Sequence, residues 1–257
     1  MKKMNQFVCI ARPDATSMQL KEAIQNRMIE KGWKENLIQP DLVFVIGGDG
    51  AFIHAAHEYV DVQPLYYPIQ TGTLGFFAQY KWEDFEAYLK ALEGDYYEQV
   101  LPLLETKIDD EVIYAVNEIR IENVMHTQIT DVFVNDHFFE NLRSSGVCVS
   151  TQAGSTAYNR SLGGAVIADG LEAMQMVEIA GIHNQKYQSL NVPIVFPWNT
   201  VLHFQSKDFE DAVLGADSKV VSLKGIHDVE IRYSKEKKVR VLRTNWLNPL
   251  DNLKSLF

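Results

Sequence analysis

The sequence predicts two architectures in one chain: an α/β N-terminal domain built on an open, mostly parallel sheet, and an all-β-rich C-terminal domain. Three observations carry this. Strand-like and helix-like runs alternate up to Gly94, the pattern of βαβ units joined by crossovers. From Tyr96 onward two-residue alternation with short polar turns, such as Asp109-Asp110 and Asn135-Asp136, takes over, as in an antiparallel sheet. The end of the chain turns helical again, with Leu250, Leu253 and Phe257 spaced to dock on the first domain. The boundaries read as 1–98, 99–240, and a tail over 241–257 that packs back on the first domain.

Taken in order, Phe7-Val8-Cys9-Ile10 reads as a strand. Residues 17–31 read as an amphipathic helix with Leu20, Ile24 and Met28 on one face, a Thr16/Ser17 cap, and Gly32 to end it. The run Leu42-Val43-Phe44-Val45-Ile46 is apolar at every position, as a strand buried on both faces must be. It stops at Gly47-Gly48-Asp49-Gly50, and a short helix follows from Ala51 to Tyr59. Leu65-Tyr66-Tyr67-Pro68-Ile69 is a further strand, ending in a second glycine turn, Gln70-Thr71-Gly72-Thr73-Leu74-Gly75-Phe76-Phe77. Residues 82–92 form a helix opening with Glu83 and Asp84. In the second domain residues 101–108, 112–121 and 129–139 read as strands. Residues 171–180 read as its one helix, with Leu171, Met174, Val177 and Glu178 on a shared face. Strands resume over 194–196, 201–204, 220–223, 229–233 and 239–242, and residues 248–257 close the chain as a short helix.

Composition narrows the function. The chain has 257 residues, 46% hydrophobic and 23% charged, enough for a sizeable core. Its net charge of −10, without a basic stripe, argues against nucleic acid or an anionic membrane as partner. No apolar run reaches the length of a membrane span, and the N-terminal residues carry no signal-peptide core, so a cytoplasmic protein is expected. Cys9 and Cys148 lie in apolar runs and read as reduced core thiols.

Three stretches carry chemistry. Gly47, Gly48 and Gly50 can turn tightly at a helix N-terminus with N–H groups toward phosphate, while Asp49 repels phosphate and suits taking a proton or holding a metal. Read alone, an ordinary strand-to-helix turn with an Asp cap fits as well. Alternation places Asn117 within an apolar row of Ile113, Ala115, Ile119 and Ile121, where its amide satisfies backbone groups or faces a polar ligand. Residues 145–165 concentrate hydroxyls, glycines, an aromatic, an amide and a base, suited to sugar hydroxyls, phosphate and the edge of a purine. No metal-ligand set is legible.

Taken together, Gly47 to Gly50, Gly72 to Phe76, Asn117-Glu118, and Ser150-Thr151 with Gly154 to Tyr158 resemble, in order and over nearly the whole chain, the motifs of the NAD kinase family in its bacterial ATP- or polyphosphate-dependent form. The resemblance implies an NAD kinase-like two-domain fold. It implies transfer of a phosphoryl group from ATP or polyphosphate to the 2′-hydroxyl of the adenosine ribose of NAD, giving NADP. Asp49 would be the general base, and Gly50 with the turn N–H groups would hold phosphate. Asn117 and Glu118 would bind the adenosine portion, and Thr156, Ala157, Tyr158, Asn159, Arg160 and Ser161 would line the dinucleotide. Arg143, Ser145, Ala180 and Ser218, with its neighbour Asp217, are further candidates. A divalent ion, Mg²⁺, is implied by the reaction. A homodimer or homotetramer with shared active sites is expected.

Ala51 stands where the family usually has Thr after the glycine turn, and Ser145 where it has an Asp expected to contact the nicotinamide half. Gln152 replaces a proline, and Gln70 is the polar residue before the second turn. Asp49, Asn117, Glu118 and Tyr158 are intact, so the departures bear on affinity and substrate choice more than on chemistry. An NAD(P)-binding sensor without turnover, or a related lipid or sugar kinase, are the alternatives.

Overall fold

The computed structural model describes residues 4–244, apart from 73, 74, 79, 93 and 95, together with Leu253. The expected C-terminal helix over 248–257 therefore lies outside the described residues but for Leu253. The chain divides into two compact units: Met1–Leu101 with Lys237–Phe257, and Pro102–Glu236. No described helix is long and apolar enough to cross a membrane.

The first unit runs β1 (Gln6–Ala11), α1 (Ala15–Glu30), β2 (Lys34–Glu35), β3 (Leu42–Gly47), α2 (Asp49–Glu58), β4 (Leu65–Gln70), β5 (Tyr80–Lys81) and α3 (Phe85–Ala91). All pairings here are parallel, in the order β2-β1-β3-β4, with β5 on the far edge of β4. Every residue of β3 is buried, which explains its unbroken apolar run. Phe7, Phe44, Tyr67 and Tyr80 form a row across the sheet through edge-to-face and tilted ring contacts, and α1 lays Ile24 and Met28 against it. The cap of α1 is Asp14, not Thr16 or Ser17. Its carboxylate accepts from Ser17 N at 3.0 Å and from Ser17 Oγ at 2.7 Å. The register sets Ala11 beside Ile46 and Gly47 beside Gln70, so both glycine turns and Arg12 fall at the carboxyl ends of neighbouring strands.

The second unit takes over within β6 (Tyr97–Ile108). It continues with β7 (Glu111–Ala115), β8 (Glu118–Glu122), β9 (Gln128–Val134), β10 (His137–Ser144), β11 (Gly146–Ser150), α4 (Tyr158–Ser161), β12 (Ala173–Ile179), β13 (Ile194–Pro197), β14 (Val201–Gln205), β15 (Val213–Ala216), β16 (Lys219–Ser222) and β17 (Asp228–Arg243). One six-stranded antiparallel sheet has the order β13-β12-β11-β8-β15-β16. Its inner face, with Ile119, Ile121, Val147, Val149, Met174, Met176 and Leu214, meets a core shared with Leu104, Val132, Leu142, Phe204 and Ile231 from β6, β9, β10, β14 and β17. From Lys237 onward β17 belongs to the first unit, where Arg240 and Val241 pair in parallel with Leu65 and Tyr66 of β4.

Three expectations are corrected. Residues 171–180 are not a helix; β12 pairs on both edges, with β11 and β13. Residues 112–121 are not one strand, because the chain breaks at Val116-Asn117 between β7 and β8. Asn117 therefore leaves the apolar row. Residues 129–139 fold as a hairpin, β9 and the start of β10, about the Asn135-Asp136 turn, where both residues have positive φ. Cys9 and Cys148 are buried free thiols whose pKa burial pushes up.

Candidate active site

In the first unit, β3 ends at Gly47, whose φ is +157°, and an added Cβ would crowd the Cβ atoms of Ala51 and Arg12 at 2.9 and 3.3 Å. Only glycine fits there. Gly48 caps α2, so Asp49 and the exposed Gly50 form its first turn, where backbone N–H groups lack partners within the helix. The Asp49 carboxylate is held by the second turn: Oδ2 accepts from Phe76 N at 2.9 Å, and Oδ1 from Phe77 N at 2.9 Å and Ala78 N at 3.4 Å. A side chain at Gly75 would overlap the carboxylate, which is why the second motif carries glycine there.

The same contact is fastened twice more. Phe52, one turn along α2, stacks on Phe77 at 4.6 Å, and the Phe77 carbonyl accepts from Arg243 Nη1 at 2.9 Å. A carboxylate offers about four acceptor sites; Oδ1 uses two and Oδ2 one, so Oδ2 keeps the site that can receive a proton. Beside the turns, the half-exposed Arg12 donates to Asp14 at 2.6 Å, and its Nη1 would lie 3.8 Å from a Cβ at Gly72. It is a cation at this edge, as is Lys81 beside Gln70, and the sequence reading missed both.

In the second unit, the break at Val116-Asn117 is held by Asp217. Its carboxylate accepts from Val116 N and Asn117 N at 2.8 Å each and from Glu118 N at 3.3 Å. From the other side Thr151 Oγ1 donates to the Val116 carbonyl at 2.7 Å, and Thr151 N to the Asn117 carbonyl at 2.8 Å. Gly154 passes so close that a Cβ would overlap that carbonyl. These bonds explain the Ser-Thr-x-x-Gly spacing. They leave the Asn117 Oδ1 and Glu118 Oε2 atoms buried without a hydrogen-bond partner among the described residues. Burial, with Asp217 and Glu122 adding to it against Arg120, pushes the Glu118 carboxyl up to about 7.

Cross-strand register puts Glu118, Arg120 and Glu122 on the face of the six-stranded sheet opposite the core, level with Ser150, Cys148 and Gly146 of β11. Tyr158 reaches this face: its hydroxyl donates to Glu122 Oε1 at 3.3 Å, and its ring lies 4.7 Å from the Arg120 guanidinium carbon. Burial and Glu122 hold the Tyr158 phenol above its ordinary pKa, keeping it a donor. Thr156 and Ala157 are half-buried beside Tyr158, whereas Arg160 and Ser161 are exposed. Asn159 is fully buried, its amide donating to the Ser155 carbonyl at 3.2 Å and packed where Gly164 has no side chain. It holds the loop.

Ser145 and Ala180 lie at the other end of the same sheet. Ser145 N bonds the Ile179 carbonyl at 3.0 Å, its carbonyl accepts from Asn123 N at 2.8 Å, and Ala180 has φ +48° just beyond β12. Arg143 packs on Tyr187, donating to its hydroxyl at 2.7 Å. Ser218 sits beside Asp217 in the turn between β15 and β16. Asn117, Glu118 and Asp217 are thus brought to one end of β8 and β11 and Ser145 and Ala180 to the other, about 17 Å away along the strand, with Tyr158 lying between them against Arg120 and Glu122.

Residues 109–243 match the family model of the ATP-NAD kinase C-terminal domain. The chain is 36% identical over 234 residues to an NAD kinase of Latilactobacillus sakei, covering 87% of each. Among solved structures, yeast NADH kinase complexed with NADH superposes with a TM-score of 0.79 at 18% identity, covering 98% of this chain and 88% of that one. An NAD kinase from Archaeoglobus fulgidus in complex with ATP gives 0.79 at 21%, covering 97% and 99%.

Proposed function

Because this chain belongs to the NAD kinase family, we propose that it transfers the terminal phosphoryl group of ATP, or of polyphosphate, to the 2′-hydroxyl of the adenosine ribose of NAD, giving NADP. The observation that carries the reading is the polar face of the six-stranded sheet. One end offers an acceptor, Glu118, the other offers Ser145 and Ala180, and the Tyr158 ring lies between them as an aromatic platform beside Arg120, with the span of a dinucleotide from end to end. The ribose hydroxyl oxygen attacks the terminal phosphorus, the bond to the bridging oxygen breaks, ADP leaves, and the hydroxyl proton passes to Asp49 Oδ2. The N–H groups at the start of α2 and Arg12 meet the donor phosphates.

Among the described residues no three His, Cys, Asp or Glu side chains gather as a metal site. The reaction itself implies a divalent ion, Mg²⁺, which would neutralise the donor phosphates. The family reading also makes the protein a cytoplasmic homodimer or homotetramer with shared sites, supported by the exposed Phe138 and Phe139 on the edge strand β10.

NADP formation from NAD, ATP and magnesium by the purified protein tests this. Asp49→Asn is expected to lower kcat by about 10²–10⁴-fold; equal rates for both proteins would sink the assignment. The three N–H bonds on Asp49 favour one competing reading, an NAD(P)-binding protein without turnover, and calorimetry showing NADP binding with no NADP formed would establish it.

A further inference from the structure

Arg120 occupies a slot that is built for it. Gly215 of β15 is its cross-strand partner, and a Cβ there would stand 3.0 Å from Nη2 and 3.4 Å from Cζ and Nε. The guanidinium therefore lies on bare backbone on one side, with the Tyr158 ring 4.7 Å from Cζ. Nη1 pairs with Glu122 Oε2 at 3.2 Å, Nη2 donates to the Asp217 carbonyl at 3.4 Å, and Nε stands 3.9 Å from Glu118 Oε1. Glu122 in turn accepts from the Tyr158 hydroxyl, closing a ring of three side chains. One cation thus faces two carboxylates on its own strand. With Nε and Glu118 Oε2 both buried and without a hydrogen bond among the described residues, the cluster is poorly satisfied as a purely structural ion pair.

We propose that Arg120 is a positioning residue for the dinucleotide, holding the Tyr158 ring and the Glu118 carboxylate where the adenosine half of NAD meets them, and that Gly215 acts by leaving room for it. This rests on the reading of the protein as an NAD kinase. Lysine cannot replace it fully, since an ammonium restores the charge opposite Glu122 but not the flat contact between Gly215 and the ring.

The experiment compares Arg120→Met, Arg120→Lys, Gly215→Ala and the double variant Arg120→Met/Gly215→Ala in the full-length protein. Initial rates are measured against NAD and ATP separately, and NADP dissociation constants by calorimetry. Arg120→Met is expected to raise KM for NAD and the NADP dissociation constant about tenfold, with kcat and KM for ATP within about twofold of wild type. Arg120→Lys falls between. Gly215→Ala changes the same constants in the same direction, and the double variant is no worse than Arg120→Met alone, because Gly215 acts only through Arg120. An unchanged KM for NAD in Arg120→Met or Arg120→Lys, a uniform loss in kcat and both KM values, or multiplying effects of the two substitutions would each overturn the proposal. Should Arg120→Met fail to fold, Arg120→Lys and Gly215→Ala still decide it. A wild-type protein that binds NADP without making it would refute the kinase reading alone, and the calorimetric comparison would still judge Arg120.

Discussion

Glu118 shows how one buried side chain ties stability to substrate binding. It is 6% exposed, its carboxyl is pushed from 4.5 up to about 7 by burial, then by Asp217 and Glu122, and only Arg120 opposes this. Because the folded chain holds this proton to higher pH than the unfolded chain does, stability falls as pH rises from about 4.5 through about 7. The full penalty above that range is on the order of 3 kcal/mol. Glu118→Gln removes this slope. Urea unfolding at pH 5 and pH 8 is expected to show the variant gaining on wild type as pH rises; the same difference at both pH values would contradict the assignment. Activity runs the opposite way. An ionised carboxylate accepts from a ribose hydroxyl more strongly than the neutral acid does, so kcat/KM for NAD in the wild type is expected to climb through about pH 7, and Glu118→Gln to abolish that limb. The residue types at these positions were legible from the motifs alone. Their partners were not: Asp49 is held by N–H groups 27 to 29 residues away, and Asn117 by a carboxylate 100 residues away. No local pattern reports such distances.

At the scale of elements, local chemistry was readable wherever a single face decides the outcome. The all-apolar β3 and the Leu20, Ile24 and Met28 face of α1 are of this kind. Reading failed at β12. Met174 and Met176 alternate into the core as strand residues, but Val177 and Ile179 on the opposite face are apolar too, and Leu171, Met174 and Val177 then mimic helical spacing. Pairing with β11 and β13 outweighs that spacing. Arg12 was missed for a related reason, since it lies far in sequence from both glycine turns and is brought to them only by the parallel register of β1, β3 and β4. Its position predicts a specific loss: Arg12→Ala should raise KM for ATP about tenfold or more, the worth of one charge-assisted bond to phosphate, and leave KM for NAD unchanged. Asp14 would keep α1 capped through Ser17 N, so the unfolding midpoint should move little. Equal increases in both KM values would rule out a role for Arg12 confined to the donor.

For the whole molecule, the first unit is assembled from both ends of the chain, Met1–Leu101 and Lys237–Phe257. The returning segment adds Arg240 and Val241 beside β4 and buries Leu242 completely in the same core as Phe44, Leu65 and Tyr67. It also supplies Arg243, whose bond to the Phe77 carbonyl supports the turn that grips Asp49. The sequence reading kept strand 239–242 with the β-rich region, because it is indistinguishable by pattern from its neighbours there; the terminal helix it expected lies outside the described residues but for Leu253. The division of the chain makes a regional prediction. Leu242→Ala should cost about 2–5 kcal/mol as a core truncation. Hydrogen exchange is the measurement that locates the cost, since it reports opening element by element. Faster exchange is expected in β1, β3, β4 and α1, with wild-type protection kept in β8, β11 and β12. Uniform acceleration across all of these strands would instead mean that the two units open as one, and the mutation would then loosen the dinucleotide face together with the glycine turns.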